Sequence, residues 1–137
     1  MRLVVDSNRI IAALVKDSYS RKIILYGNLE LLAIRISQRD IQKYKQDILK
    51  KSKITEEQFK SIFEKLNEKL IELDDGVIES NMKEAKKLMD KIDEDDTPFI
   101  AAALATRTGI WSDDRHFEKQ KRIKIWKTKD LLKHLKS

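Results

Sequence analysis

Arg2-Leu3-Val4-Val5-Asp6-Ser7-Asn8-Arg9-Ile10-Ile11-Ala12-Ala13-Leu14 is the stretch that decides how the rest of the chain is read. It opens with a short apolar run ending in two valines, the pattern of a strand buried on both faces. Asp6 closes that run. Ile10, Ile11, Leu14 and Val15 then recur at helical spacing, with Ser7 or Asn8 as the expected helix cap. A buried strand that passes through an acidic residue straight into a helix is the first half of a βα unit.

The same alternation continues outward. A helix is expected over residues 20–26, a Gly27-Asn28 turn, and a second strand over 29–34. Ile41, Tyr44, Ile48 and Leu49 mark one face of a helix over 37–51, and Thr55-Glu56-Glu57-Gln58 has the spacing of a capping box opening the next. A strand over 70–73 and a helix over 80–92 follow. Asp93-Glu94-Asp95-Asp96 then breaks the periodicity before Thr97-Pro98 and an Ala-rich helix, which Gly109 is expected to end. Strands over 110–112 and 123–126 and a last helix capped by Thr128 complete the chain. Strands alternating with helices predict an α/β fold of three layers, a mainly parallel sheet flanked by helices.

With 137 residues, 41% of them hydrophobic, the chain can bury one continuous core, so residues 1–137 are expected to form a single domain. The absence of Cys removes disulfides and thiolate metal sites from consideration. Apolar runs such as 100–105 are too short to cross a bilayer and the N-terminus has no signal-peptide pattern, so a cytoplasmic protein with no membrane association is expected. A formal charge of +6 permits a polyanionic partner without requiring one.

Functional groups in an open parallel sheet gather at the carboxyl ends of the strands. Asp6 and Asp114 are predicted there, and Asp96 heads a helix that opens onto the same edge. Converging carboxylates repel one another unless a cation neutralises them, and Mg²⁺ or Mn²⁺ suits an all-oxygen set.

Three segments resemble the motifs of PIN domains. Val4 to Leu14 is similar to their opening strand and helix, Asp96-Thr97-Pro98-Phe99-Ile100-Ala101-Ala102-Ala103-Leu104 to their third motif, and Trp111-Ser112-Asp113-Asp114-Arg115-His116-Phe117 to their fourth. The resemblance implies a PIN-like fold and a metal-dependent endoribonuclease. Asp6, Asp96 and Asp114 would be metal ligands, Ser112 a hydroxyl that orients a ligand or water, and Asn8 a supporting residue. The remaining family position is normally a Glu; Asp40, in Ser37-Gln38-Arg39-Asp40-Ile41, is the best match, one methylene shorter and beside the positive charge of Arg39. Small members of the family include VapC-type toxins, which implies an RNA substrate, a cognate antitoxin and a homodimer. Two alternatives stand beside the toxin: an RNA-processing nuclease without antitoxin, and a degenerate module that binds RNA or protein without cutting.

Each residue also has a plainer reading. Asp6 and Asp96 could serve only as helix-terminus residues, Asp40 as a solvated charge, and Asp95 or Asp113 could replace its neighbour as ligand. Motif register favours Asp96 and Asp114. His116 is read as a surface histidine rather than a general base, His134 has no assigned role, and Trp111 and Trp126 are expected to pack. Lys43, Lys45, Lys50, Lys51 and Lys53 are candidate phosphate contacts or simply a solvated face.

Overall fold

A computed structural model describes residues 1–136. Five parallel strands form one sheet: β1 (Arg2–Val5), β2 (Glu30–Ala33), β3 (Leu70–Glu72), β4 (Gly109–Trp111) and β5 (Ile125–Trp126). Their order is β3-β2-β1-β4-β5. The chain builds outward from β1 through β2 to β3, then crosses back to place β4 on the other side of β1. Strand order therefore reverses between β1 and β4, and a crevice opens beyond their carboxyl ends.

Alternation along β1 distributes its side chains to two cores. Leu3 and Val5 enter one with Ile10 and Leu14 of α1 (Ser7–Val15), Ile23 and Ile24 of α2 (Tyr19–Tyr26), Ile41 of α3 (Arg35–Lys43), Ile48 of α4 (Lys45–Ser52) and Phe59 and Leu66 of α5 (Glu56–Glu68). Val4 enters the other with Ile78 of α6 (Asp75–Glu79), Ala85 and Met89 of α7 (Met82–Asp93), residues 99–103 of α8 (Thr97–Thr106) and Phe117 of α9 (Arg115–Glu118). Burial on both faces explains why β1, β2 and β4 read as apolar runs, whereas the edge strand β3 is exposed at Ile71 and Glu72. Ala101, Ala102 and Ala103 are fully buried, their small side chains letting α8 pack closely in this layer. Leu131 of α10 (Thr128–Lys136) closes the first core. Among the described residues no helix is long and apolar enough to cross a membrane.

The α/β architecture and the capping box at Thr55 are as expected from sequence. Several boundaries differ. The cap of α1 is Asp6, whose carboxylate accepts from the Asn8 N–H at 3.3 Å; Ser7 lies inside the helix, and its hydroxyl meets that of Ser37 at 2.9 Å. Residues 37–51 do not form one helix: the chain turns at Tyr44 between α3 and α4, and both Ile41 and Ile48 reach the same core. Gly109 does not end α8, which stops at Arg107 in the left-handed conformation (φ 56°). Gly109 instead opens β4 beside β5, where a Cβ would lie 2.8 Å from the Lys124 carbonyl oxygen. The short helix α6, capped by Asp74, was not expected.

Candidate metal centre

At the reversal point the ladder continues one residue past β1: the Asp6 N–H donates to the Trp111 carbonyl at 3.0 Å. This fixes the Asp6 backbone against the end of β4 and leaves its side chain in the crevice, 4% exposed. The Ser112 hydroxyl donates to Asp6 Oδ2 at 2.7 Å and accepts the Asp114 N–H at 3.0 Å. One hydroxyl thus ties two carboxylate-bearing segments together. Asp114 caps α9, its Oδ1 accepting the His116 N–H at 2.9 Å. Burial pushes the Asp6 carboxyl above its ordinary range, the Ser112 and Asn8 hydrogen bonds oppose this, and the charge of Asp114 adds to it.

Asp96 arrives from the other side. A single 3₁₀ turn, Glu94–Asp96, delivers it to the cap position of α8, where its side chain does not cap the helix. Its Oδ2 is wholly buried and has no hydrogen-bond partner. Burial, followed by the charges of Asp93, Asp114 and Asp6, pushes the carboxyl up to about 7, with His116 opposing. Asp95 beside it is exposed, with its N–H bound to Asp93 Oδ1 at 3.0 Å.

Asp40, half-buried on α3, lines a cleft of ≈ 400 Å³ together with Asp6, Asn8, Lys43 and Asp96. Arg39 lines a different cleft with Asp75 and Glu79, so its charge does not face into the one holding Asp40. Asp114 is outside the lining of the Asp40 cleft and meets the cluster from β4. The structure therefore joins Asp6, Ser112 and Asp114 by hydrogen bonds and couples Asp96 to them by charge, while Asp40 shares only the cleft lining with Asp6 and Asp96.

Asp113 has an unrelated task. It pairs with Arg9 at 2.8 Å and accepts from the Thr128 N–H at 2.8 Å and the Thr128 hydroxyl at 2.7 Å. Asp113, rather than Thr128, supplies the cap of α10. Trp111, fully buried, donates its indole N–H to the same hydroxyl at 3.0 Å.

Two residues at this edge were missed in sequence. His116, given no role in the site by its sequence, is 45% exposed as expected of a surface histidine, and its Nδ1 lies 3.2 Å from Asp93 Oδ2, 3.8 Å from Asp96 Oδ2 and 3.7 Å from Asp114 Oδ1. Asp93 is the second. The available signals were its spacing, three residues before Asp96, and the two-residue step from Asp114 to His116. Of the lysines, Lys43 lines the Asp40 cleft, whereas Lys45 lies over the Phe59 ring at 5.7 Å.

A buried carboxylate oxygen without a donor, beside three further negative charges, fits a hard divalent cation. Asp6, Asp96 and Asp114 could offer oxygens for it, and Asp40 lines the cleft beside Asp6 and Asp96.

The PIN domain sequence profile matches residues 4–136. Among curated proteins no match is found. A solved structure, VapBC2 from Rickettsia felis bound to a DNA fragment from their promoter, contains a chain similar to this one with a TM-score of 0.69 and 17% identity, covering 93% of this chain and 98% of that one. That likeness extends to the fold, and the profile spans nearly every residue: the chain belongs to the PIN domain family.

Proposed function

We propose that residues 1–137 act as a single metal-dependent endoribonuclease domain, the toxin of a type II toxin–antitoxin pair. The observation carrying this reading is the buried Asp96 Oδ2, without a hydrogen-bond partner, on a carboxyl raised by the charges of Asp93, Asp114 and Asp6 at the reversal point of a parallel sheet. Asp6, Asp96, Asp114 and Asp40 would hold Mg²⁺ or Mn²⁺, which when bound polarises a phosphodiester and favours ionised water as its attacker.

The remaining work falls to the chain. Ser112 holds Asp6 Oδ2 while Oδ1 caps α1, so the two hydrogen bonds fix the orientation of the carboxylate. Asp40 offers a carboxylate to the same cleft, able to orient the attacking water through a hydrogen bond. Lys43 supplies positive charge for the RNA phosphates.

A cognate antitoxin is supported by the resemblance to a chain in a VapBC2 complex, and a homodimer in the cytoplasm belongs to the same reading. Incubation of the purified chain with RNA and Mn²⁺ tests it. Cleavage is expected, abolished by EDTA and by Asp6→Asn or Asp114→Asn, and retained in Lys86→Ala, an exposed position on α7. No cleavage by a chain that binds Mn²⁺ would instead support the degenerate module, for which the shorter Asp40 is the motive. Cleavage without any co-purifying or gene-adjacent antitoxin would support an RNA-processing role.

A further inference from the structure

His116 stands on α9 and its ring lies against carboxylates from three segments: the end of α7, the head of α8 and the loop after β4. Two donors bound to one small divalent cation at about 2.1 Å sit about 3.0 Å apart when adjacent in an octahedron, and about 3.4 Å apart in a tetrahedron. The separations of 3.2 and 3.8 Å from His116 Nδ1 to Asp93 Oδ2 and Asp96 Oδ2 are of that scale. One donor atom from each of Asp93, Asp96 and His116 lies within 4.8 Å of the other two.

A surface ion pair alone does not account for this arrangement. At 3.8 Å the imidazole does not hydrogen-bond Asp96 Oδ2, and among the described residues no other group bonds that oxygen although it is wholly buried. His134, by contrast, lies against the Trp126 ring, with centroids 5.6 Å apart.

We propose that Asp93, Asp96 and His116 form a mixed oxygen and nitrogen cation site, giving the acidic edge a preference for a first-row transition ion over Mg²⁺. The inference rests on reading that edge as a metal centre and adds to it a nitrogen ligand and a selectivity. Imidazole nitrogen is a poor donor for Mg²⁺ and a good one for transition ions. Binding through Nδ1 uses its lone pair and leaves the ring proton on Nε2, so the hydrogen that joins Nδ1 to Asp93 in one tautomer is replaced by the cation.

Pulsed electron paramagnetic resonance of the full chain loaded with Mn²⁺ tests the site without reference to activity. Imidazole ¹⁴N modulation is expected in the wild type and in His134→Gln, and is expected to vanish in His116→Gln. Mn²⁺ affinity should fall about tenfold or more in His116→Gln and in Asp93→Asn, while Mg²⁺ affinity, read by competition, changes less than about twofold in His116→Gln. Bound Mn²⁺ without ¹⁴N modulation in the wild type overturns the mixed site and leaves the carboxylate centre standing. Failure of the wild type to bind Mn²⁺ overturns both. Because the wild-type spectrum decides by itself, a variant that failed to fold would not rescue the idea.

Discussion

At the end of β1 both oxygens of Asp6 accept hydrogen bonds, one from the Asn8 N–H and one from the Ser112 hydroxyl. At the head of α8, Asp96 carries an oxygen just as deeply buried that accepts none. The first carboxylate belongs to the hydrogen-bond network that joins β1, α1 and β4, and the fold uses it with or without a cation. Asp96 has no such structural partner. Its carboxyl is pushed up by burial and by three acidic neighbours, so in the metal-free chain its charge opposes folding. Two residues of the same type in one cluster thus separate into one satisfied by the fold and one that only the nearby His116 opposes, a cost that a bound ion would offset further.

Substitution should break or sharpen that contrast. The largest effect is on cleavage: Asp6→Ala and Asp96→Asn are each expected to reduce Mn²⁺-dependent RNA hydrolysis about 10³-fold or more, because in the proposed centre each would weaken the hold on an ion that stabilises charge at phosphorus. Thermal melts in EDTA at pH 8 should then separate them. Asp6→Ala loses a helix cap and leaves the Ser112 hydroxyl without its acceptor, lowering the melting temperature by about 5 °C, whereas Asp96→Asn removes repulsion and raises it by about 3–6 °C. If both variants shift in the same direction, the contrast fails.

A second comparison, between Asp113 and Asp114, is expected to give the next largest effect. Asp113→Ala strips Arg9 of its ion pair and α10 of its cap, which should reduce stability by about 1–2 kcal/mol in a denaturant titration, the lower part of that range reflecting solvent screening of the pair. Mn²⁺ affinity should be unchanged, while Asp114→Asn should do the reverse. Smaller again is Asp40→Asn. It is expected to slow cleavage about tenfold, the effect of weakening one hydrogen-bonding ligand, and an unaltered rate would place Asp40 among the solvated charges of α3.

The smallest expected signal is in pH. The Asp96 carboxyl titrates near 7 in the folded chain against an ordinary 3.8, so between those values the folded state holds the proton more tightly than the unfolded state. Stability from this group is present at low pH and is lost as pH rises through about 7; the shift at Asp6 acts in the same direction. Wild-type melting temperatures without metal should therefore fall by a few degrees more than those of Asp96→Asn between pH 5 and 8. Saturating Mn²⁺ should remove the difference.

The acidic edge was legible in sequence where local pattern determines position. Val4 and Val5 had to be buried on both faces, Asp6 had to follow them, and the Pro98 and alanine run had to begin a helix, so three of the carboxylates could be assigned to the sheet's open end. Details set by packing at a distance were not legible. The cap of α10 lies in Asp113, 15 residues earlier, and no local rule predicts that Thr128 would find it. The turn at Tyr44 has no Gly or Pro to announce it. Similarly, the place of His116 depends on Asp114 capping α9, and a short helix has too little periodicity to be read.

The hydrogen bond from Ser112 to Asp6 joins residues 106 positions apart. Synthesis runs from the N-terminus, so Asp6 leaves the ribosome long before its partner exists. Until β4 is made, neither the Trp111 carbonyl that accepts the Asp6 N–H nor the Ser112 hydroxyl that bonds its Oδ2 is present. Only when residues 109–114 emerge and dock beside β1 do Ser112 and Asp114 reach it. The order of translation therefore makes the acidic edge one of the last features the growing chain can complete.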